Sequence, residues 1–104
     1  MKLSHNRRGD IQELLLCTLL MKRGYEVFRN VSCDGPMDII AVNKNTMQTF
    51  YIDCKSPIIA KDGTLRTQQP QLKTHQHAAG IIPMTAWKEN IYYWSLEDRT
   101  AKEF

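Results

Sequence analysis

A chain of 104 residues has room for one hydrophobic core and not for a second, so a single domain spanning 1–104 is expected. With 42% hydrophobic and 24% charged residues and a mean hydropathy of −0.44, the composition excludes both a disordered chain and a membrane-embedded one. The net charge of +3 permits a polyanionic partner without establishing one.

From Asp10 the residues Ile11, Leu14, Leu15, Thr18, Leu19 and Lys22 recur at spacings of three and four, which predicts an amphipathic helix with this stripe as its buried face. Gly24 supplies the stop. The longest apolar stretch, Leu14–Met21, is interrupted by Cys17 and Thr18 and is far shorter than the roughly 20 residues that a bilayer requires. No small-residue cleavage site follows it, so a cytoplasmic location is expected, with no membrane partner. Cys17, Cys33 and Cys54 are odd in number and widely spaced, as reduced thiols are.

Tyr25 to Val31 alternates apolar and polar residues as a strand does, and Asp34-Gly35-Pro36 marks its end. Met37 to Val42 and Met47 to Lys55 read as two strands of a hairpin joined at Asn43-Lys44-Asn45, with Pro57 ending the second. A loop from Ile58 to Arg66 leads to a second helix, capped by Thr67, running to about Ala79 and stopped by Gly80. Ile81–Ala86 and Ile91–Ser95 complete the chain as strands around a Lys88-Glu89-Asn90 turn, while 97–104 is mostly charged and expected at the surface. The class is α/β in the α+β sense: a central mixed sheet flanked by helices, in the order αβββαβ(β).

Side chains on a strand alternate faces, so Tyr51, Asp53 and Lys55 project to one side. Hairpin pairing brings Asp38 on the preceding strand beside them. Hydrolysis of a phosphodiester requires a neutralised phosphate, a hydroxide near neutral pH and a stabilised leaving oxygen. Asp38 and Asp53 are hard oxygen ligands suited to Mg²⁺, with Mn²⁺ as a substitute, and the carbonyl of Cys54 can add a third ligand. Lys55 is placed to orient water or to stabilise the charge of the transition state. Glu13 on the first helix can reach the water shell of the metal.

Glu13 on an opening helix, Gly35-Pro36-Met37-Asp38-Ile39-Ile40, and Tyr51-Ile52-Asp53-Cys54-Lys55-Ser56 together resemble the PD-(D/E)xK nuclease superfamily. The size and element order are similar to its VRR-NUC and archaeal-type Holliday-junction resolvase members. The likeness runs from Arg7 to Tyr93. It implies a restriction-endonuclease-like core and a single nuclease domain, with Asp38 and Asp53 as metal ligands and Lys55 as catalytic lysine. Glu13 would be the helix-borne acid, and Gln69 or Gln71 a glutamine of the second helix. Two departures stand out: Met37 separates Pro36 from Asp38, and aspartate rather than glutamate occupies position 53.

The expected activity is therefore Mg²⁺-dependent cleavage of DNA, on branched or structured DNA of the Holliday-junction or repair type. The alternatives are a site-specific endonuclease of homing or restriction-like type, and a non-catalytic nucleic-acid-binding or assembly module on the same fold. Arg7, Arg8, Lys61, Arg66 and Lys73 are the candidate DNA contacts. No small-molecule cofactor is expected, since there is no Gly-rich phosphate loop. His75 and His77 are two apart on the expected helix, where their rings diverge, and this disfavours a zinc site. Trp87, Ile91, Tyr92, Tyr93 and Trp94 are placed in the core or in the interface of a homodimer, with base stacking by the aromatics the lesser alternative.

Overall fold

The structure, a computed structural model, describes residues 5–32, 37–65, 79–95, 97 and 100–104, with side chains from residue 9 onward. In chain order its elements are α1 (His5–Lys22), β1 (Tyr25–Arg29), β2 (Ile39–Asn43), β3 (Thr49–Cys54), β4 (Ile82–Trp87), β5 (Asn90–Trp94) and β6 (Ala101–Glu103). The strands form one six-stranded sheet in sequence order. Neighbours are antiparallel except β3 and β4, which are parallel, so the sheet is mixed as expected. A parallel pair needs a crossover rather than a hairpin, which accounts for the long connection between Cys54 and Ile82. The second helix expected over Thr67–Ala79 lies, all but its last residue, outside the described residues. With it go Gln69, Gln71, Arg66, Lys73, His75 and His77. No helix among the described residues is long and apolar enough to cross a membrane.

Helix α1 departs from its sequence reading twice. It begins at His5, not Asp10, because the charged first turns carry no apolar period to announce them. Residues His5, Arg7 and Arg8, expected ahead of the helix, are part of it, and the side chains of Arg7 and Arg8 are outside the described set. The buried face is also rotated. Leu16, Cys17 and Leu20 enter the core, whereas Ile11, Leu14 and Leu15 are 40%, 51% and 46% exposed. Apolar residues crowd nearly every position from Leu14 to Met21, so two faces satisfy the three-and-four spacing and only packing chooses between them. Leu16 and Leu20 meet Ile39, Ala41, Ile52, Met84, Ala86 and Ile91 on one face of the sheet. Each fully buried leucine contributes about 1.5–3 kcal/mol.

The helix closes at Gly24, whose φ of 90° favours glycine, with its N–H donating to the Met21 carbonyl at 3.0 Å. The β2–β3 turn falls at Asn43 as expected: its side-chain oxygen accepts the Asn45 and Thr46 N–H groups at 2.9 and 3.2 Å. Between β4 and β5 the two central turn residues, Lys88 and Glu89, both have positive φ, the geometry that matches strand twist in a two-residue hairpin.

The carboxyl-terminal segment is exposed at Glu97, Thr100, Lys102 and Glu103, as expected of a surface segment, and it adds a strand that was not expected. Ala101–Glu103 pairs with β5. Phe104 packs edge-on against Phe50 and Tyr93 and tilted against Tyr25, and its carbonyl accepts the Arg23 guanidinium. A three-residue strand between charges has too little alternation to show in sequence; the open edge of β5 creates it.

Candidate active site

The chain enters β2 through an anchored corner. Asn30 donates its backbone N–H to the Asp38 carbonyl at 2.8 Å and its side-chain amide to the Met37 carbonyl at 3.0 Å. Its side-chain oxygen accepts both the N–H and the hydroxyl of Ser32. Asp38, whose N–H donates to the Ile52 carbonyl, is thereby held at the head of β2 beside β3. Its Oδ2 accepts the Cys54 N–H at 2.8 Å. In a strand the N–H and C=O of one residue point to the same neighbour, so the Cys54 carbonyl is aimed toward Asp38 as well.

Asp53 is fixed by the sheet itself. It is registered against Pro83 of β4, which is fully buried, and is itself only 9% exposed. Lys55, two residues on and on the same face, places Nζ 2.9 Å from Asp53 Oδ2. The contact is one of charges rather than an aligned hydrogen bond, because Oδ2 is buried and has no hydrogen-bond donor. Asp38, Asp53 and Lys55 thus converge as the strand alternation required. Tyr51, two residues earlier on the same face, is 40% exposed.

Glu13 comes from the rotated face of α1. Its Oε1 accepts Arg29 Nε at 2.8 Å, and Arg29 also reaches Asp10 at 3.6 Å. Arg29 is the site-adjacent residue that sequence reasoning missed; its strand alternation placed it but nothing local named its partner. Glu13 is close enough that its charge acts on Asp38 and Cys54.

Desolvation, joined by the charges of Asp53 and Glu13, pushes the Asp38 carboxyl up to about 6, despite the stabilising Cys54 N–H. Burial likewise pushes the Cys54 and Cys17 thiols up, so both are protonated and unreactive near neutral pH. A carboxyl held high by burial and by two neighbouring carboxylates, beside a buried aspartate whose charge partner is the Lys55 ammonium, forms an oxygen-rich pair that fits a hard divalent cation. Among the described residues no group of three or more His, Cys, Asp or Glu side chains is placed to hold a metal ion. Asp38, Asp53 and the Cys54 carbonyl are the groups that would hold such an ion, with Glu13 tied to Arg29.

This charge balance has a measurable consequence. Asp38 holds its proton more tightly folded than unfolded, so its stabilising contribution is complete below about pH 3.8 and is lost as pH rises through about 6. Allowing for solvent screening, the loss is about 1–2 kcal/mol. In chelator, wild type should lose this much relative to Asp38→Asn between pH of about 4 and 7.5, and Mg²⁺ should restore it at the higher pH only. Parallel stability curves for the two proteins would refute this account of the site.

The other expected residues are resolved unevenly. Lys61 is exposed. Trp94 and Ile91 are fully buried within the chain and cannot form a dimer interface, and Trp87 stacks at a tilt on Tyr92. Of the residues placed in the core or in an interface, Ile91 and Trp94 are in the core, and Trp87, Tyr92 and Tyr93 are half-buried.

No protein-family model matches the chain, and no curated protein matches it. Among solved structures, that of a bacterial homing endonuclease, I-Ssp6803I, superposes with a TM-score of 0.66 at 13% identity, over 98% of this chain and 78% of that one. The chain therefore shares the fold of a homing endonuclease structure.

Proposed function

We propose that this chain is a divalent-metal-dependent DNA endonuclease of the PD-(D/E)xK type, a single nuclease domain in which Asp38 and Asp53 hold Mg²⁺ or Mn²⁺ with help from the Cys54 carbonyl. The observation that carries this reading is the buried carboxylate of Asp53, adjoining the Asp38 carboxyl and with the ammonium of Lys55 2.9 Å from its Oδ2. A bound ion of this kind neutralises the phosphate and lowers the pKa of water. Lys55, one-third exposed, faces the reacting phosphate and stabilises the charge that develops on it. Glu13 orders water at the margin of the site while Arg29 holds its carboxylate in place. Gln69, Gln71, Arg7, Arg8, Lys61, Arg66 and Lys73 keep their proposed roles at the site and along the DNA.

The likeness to a homing endonuclease structure favours a site-specific endonuclease over a junction- or repair-type one. The deciding experiment incubates the protein with a random-sequence duplex library, a four-way junction and a flap, in Mg²⁺ and in chelator. Site-specific cleavage predicts discrete cuts in a subset of library duplexes that vanish in chelator. Cuts confined to the junction would restore the branched-DNA reading. DNA binding without metal-dependent cleavage would leave a binding module.

Homodimerisation belongs to this proposal, because one active site cuts one strand per encounter. With Ile91 and Trp94 buried, the outward stripe of α1, Ile11, Leu14 and Leu15, is the apolar surface offered to a second copy. Sedimentation equilibrium at micromolar concentration should give about twice the 12.1 kDa chain mass, and Leu14→Glu should return the monomer. A monomer with and without DNA would remove the dimer.

A further inference from the structure

The strand register sets Phe28, Ile40 and Tyr51 side by side in one row across β1, β2 and β3. The row lies on the face turned away from α1, since the residues between them, Val27, Ala41, Phe50 and Ile52, pack toward the helix. Phe28 is 52% exposed and Tyr51 40%, an unusual place for two rings on one sheet face. Neither belongs to the core cluster, and neither has a part in the chemistry proposed above.

The position of the row is what gives it meaning. It lies one two-residue strand step, about 6.6 Å, from Asp53 on β3 and from Asp38 on β2. That is about the reach of one nucleotide unit. Beside Asp38, the residues Phe28, Ile40, Asn30 and Met37 line an open depression of about 180 Å³. Pockets for whole small molecules measure roughly 300–1,000 Å³, so this one suits a single ring system.

We propose that Phe28 stacks an unpaired nucleobase of the substrate next to the cleaved phosphate, with Tyr51 as a second platform two strands across. The proposal rests on the nuclease reading and deepens it. A base inside a duplex offers only its edges to a protein, so a ring on a sheet face can stack only on a base whose π-face is open. Stacking is tolerant of base identity, and Phe28 and Tyr51 therefore position the strand while sequence is read elsewhere. The substrate must present an open base at the cut, either already unpaired or extruded from a duplex.

The test is a binding measurement made without cleavage. Fluorescence anisotropy in chelator compares an oligothymidylate with an abasic strand of the same length, for wild type, Phe28→Ala and Phe28→Trp. Wild type and Phe28→Trp should prefer the base-bearing strand by about fivefold or more, Phe28→Ala should lose most of that preference, and the double variant with Tyr51→Ala should lose the rest. As Phe28 is half exposed, its removal should leave the fold intact, which circular dichroism verifies. Equal affinity of wild type for the two strands, or a preference undiminished in Phe28→Ala, would overturn the proposal. A fully paired duplex shows the source of the base: the same dependence on Phe28 means extrusion, and dependence confined to the single strand means a site already unpaired. If Mg²⁺-dependent cleavage never appears yet the base preference holds, the nuclease reading fails and the base site stands. If cleavage proceeds with no base preference, the reverse is true.

Discussion

Asp53→Asn should lower DNA cleavage by roughly a thousandfold or more while leaving folding and DNA binding in place. The carboxylate is buried beside β4, with one oxygen that takes no hydrogen bond and a lysine ammonium 2.9 Å away. Asparagine matches its volume, so packing against Pro83 survives, but the residue can no longer bind a hard cation as an anion. Asp38→Asn should produce a similar loss, and the double variant should be little worse than either single one, because two ligands of one ion act as a unit. Single-turnover rates in saturating Mg²⁺ measure this directly. A near-normal rate for Asp53→Asn would remove the proposed site, while additive losses would mean that the two carboxylates act separately.

Leu16→Ala should destabilise the protein by about 2–5 kcal/mol, whereas Leu14→Ala, compared at a concentration low enough to keep the chain monomeric, should fall within about 0.5 kcal/mol of wild type. Leu16 is fully buried against Ile39, Ile52 and Met84, so truncation leaves a cavity that the sheet cannot collapse to fill. Leu14 is half exposed and loses little. A domain of this size has only about 5–15 kcal/mol to lose, and the first substitution should lower the melting temperature by about 10 °C or more. Urea unfolding of both variants settles the ranking. The opposite order would mean that α1 docks through the face its apolar spacing first advertised, and would turn Glu13 away from Arg29.

The helix is the instructive failure of sequence reasoning. Of its expected stripe, Ile11, Leu14, Leu15, Thr18, Leu19 and Lys22, only Leu19 packs against the core, and the buried stripe is Leu16, Cys17 and Leu20. Position 13 then lies on the inward side, which is why its carboxylate meets Arg29 and its charge reaches Asp38. The strands failed less, because a period of two leaves only two faces to choose between. Even there the alternation could not tell that Tyr51 would stay open while Asp53 was covered.

What the sequence by itself determined are features confined to a few neighbouring residues. Gly24 ends α1, Asn43 turns the hairpin, and the pleat of β3 puts Asp53 and Lys55 on one side. Each follows from backbone geometry or from a hydrogen bond spanning three or four positions, and no distant contact is needed. The tertiary structure alone decided which face of α1 is buried, that Arg29 holds Glu13, that Asp53 is buried in register with Pro83 of β4, and that Ala101–Phe104 joins the sheet and its aromatic cluster. These depend on segments far apart in the chain, whose burial and pairing come into being only when the sheet has assembled, so no local pattern can encode them.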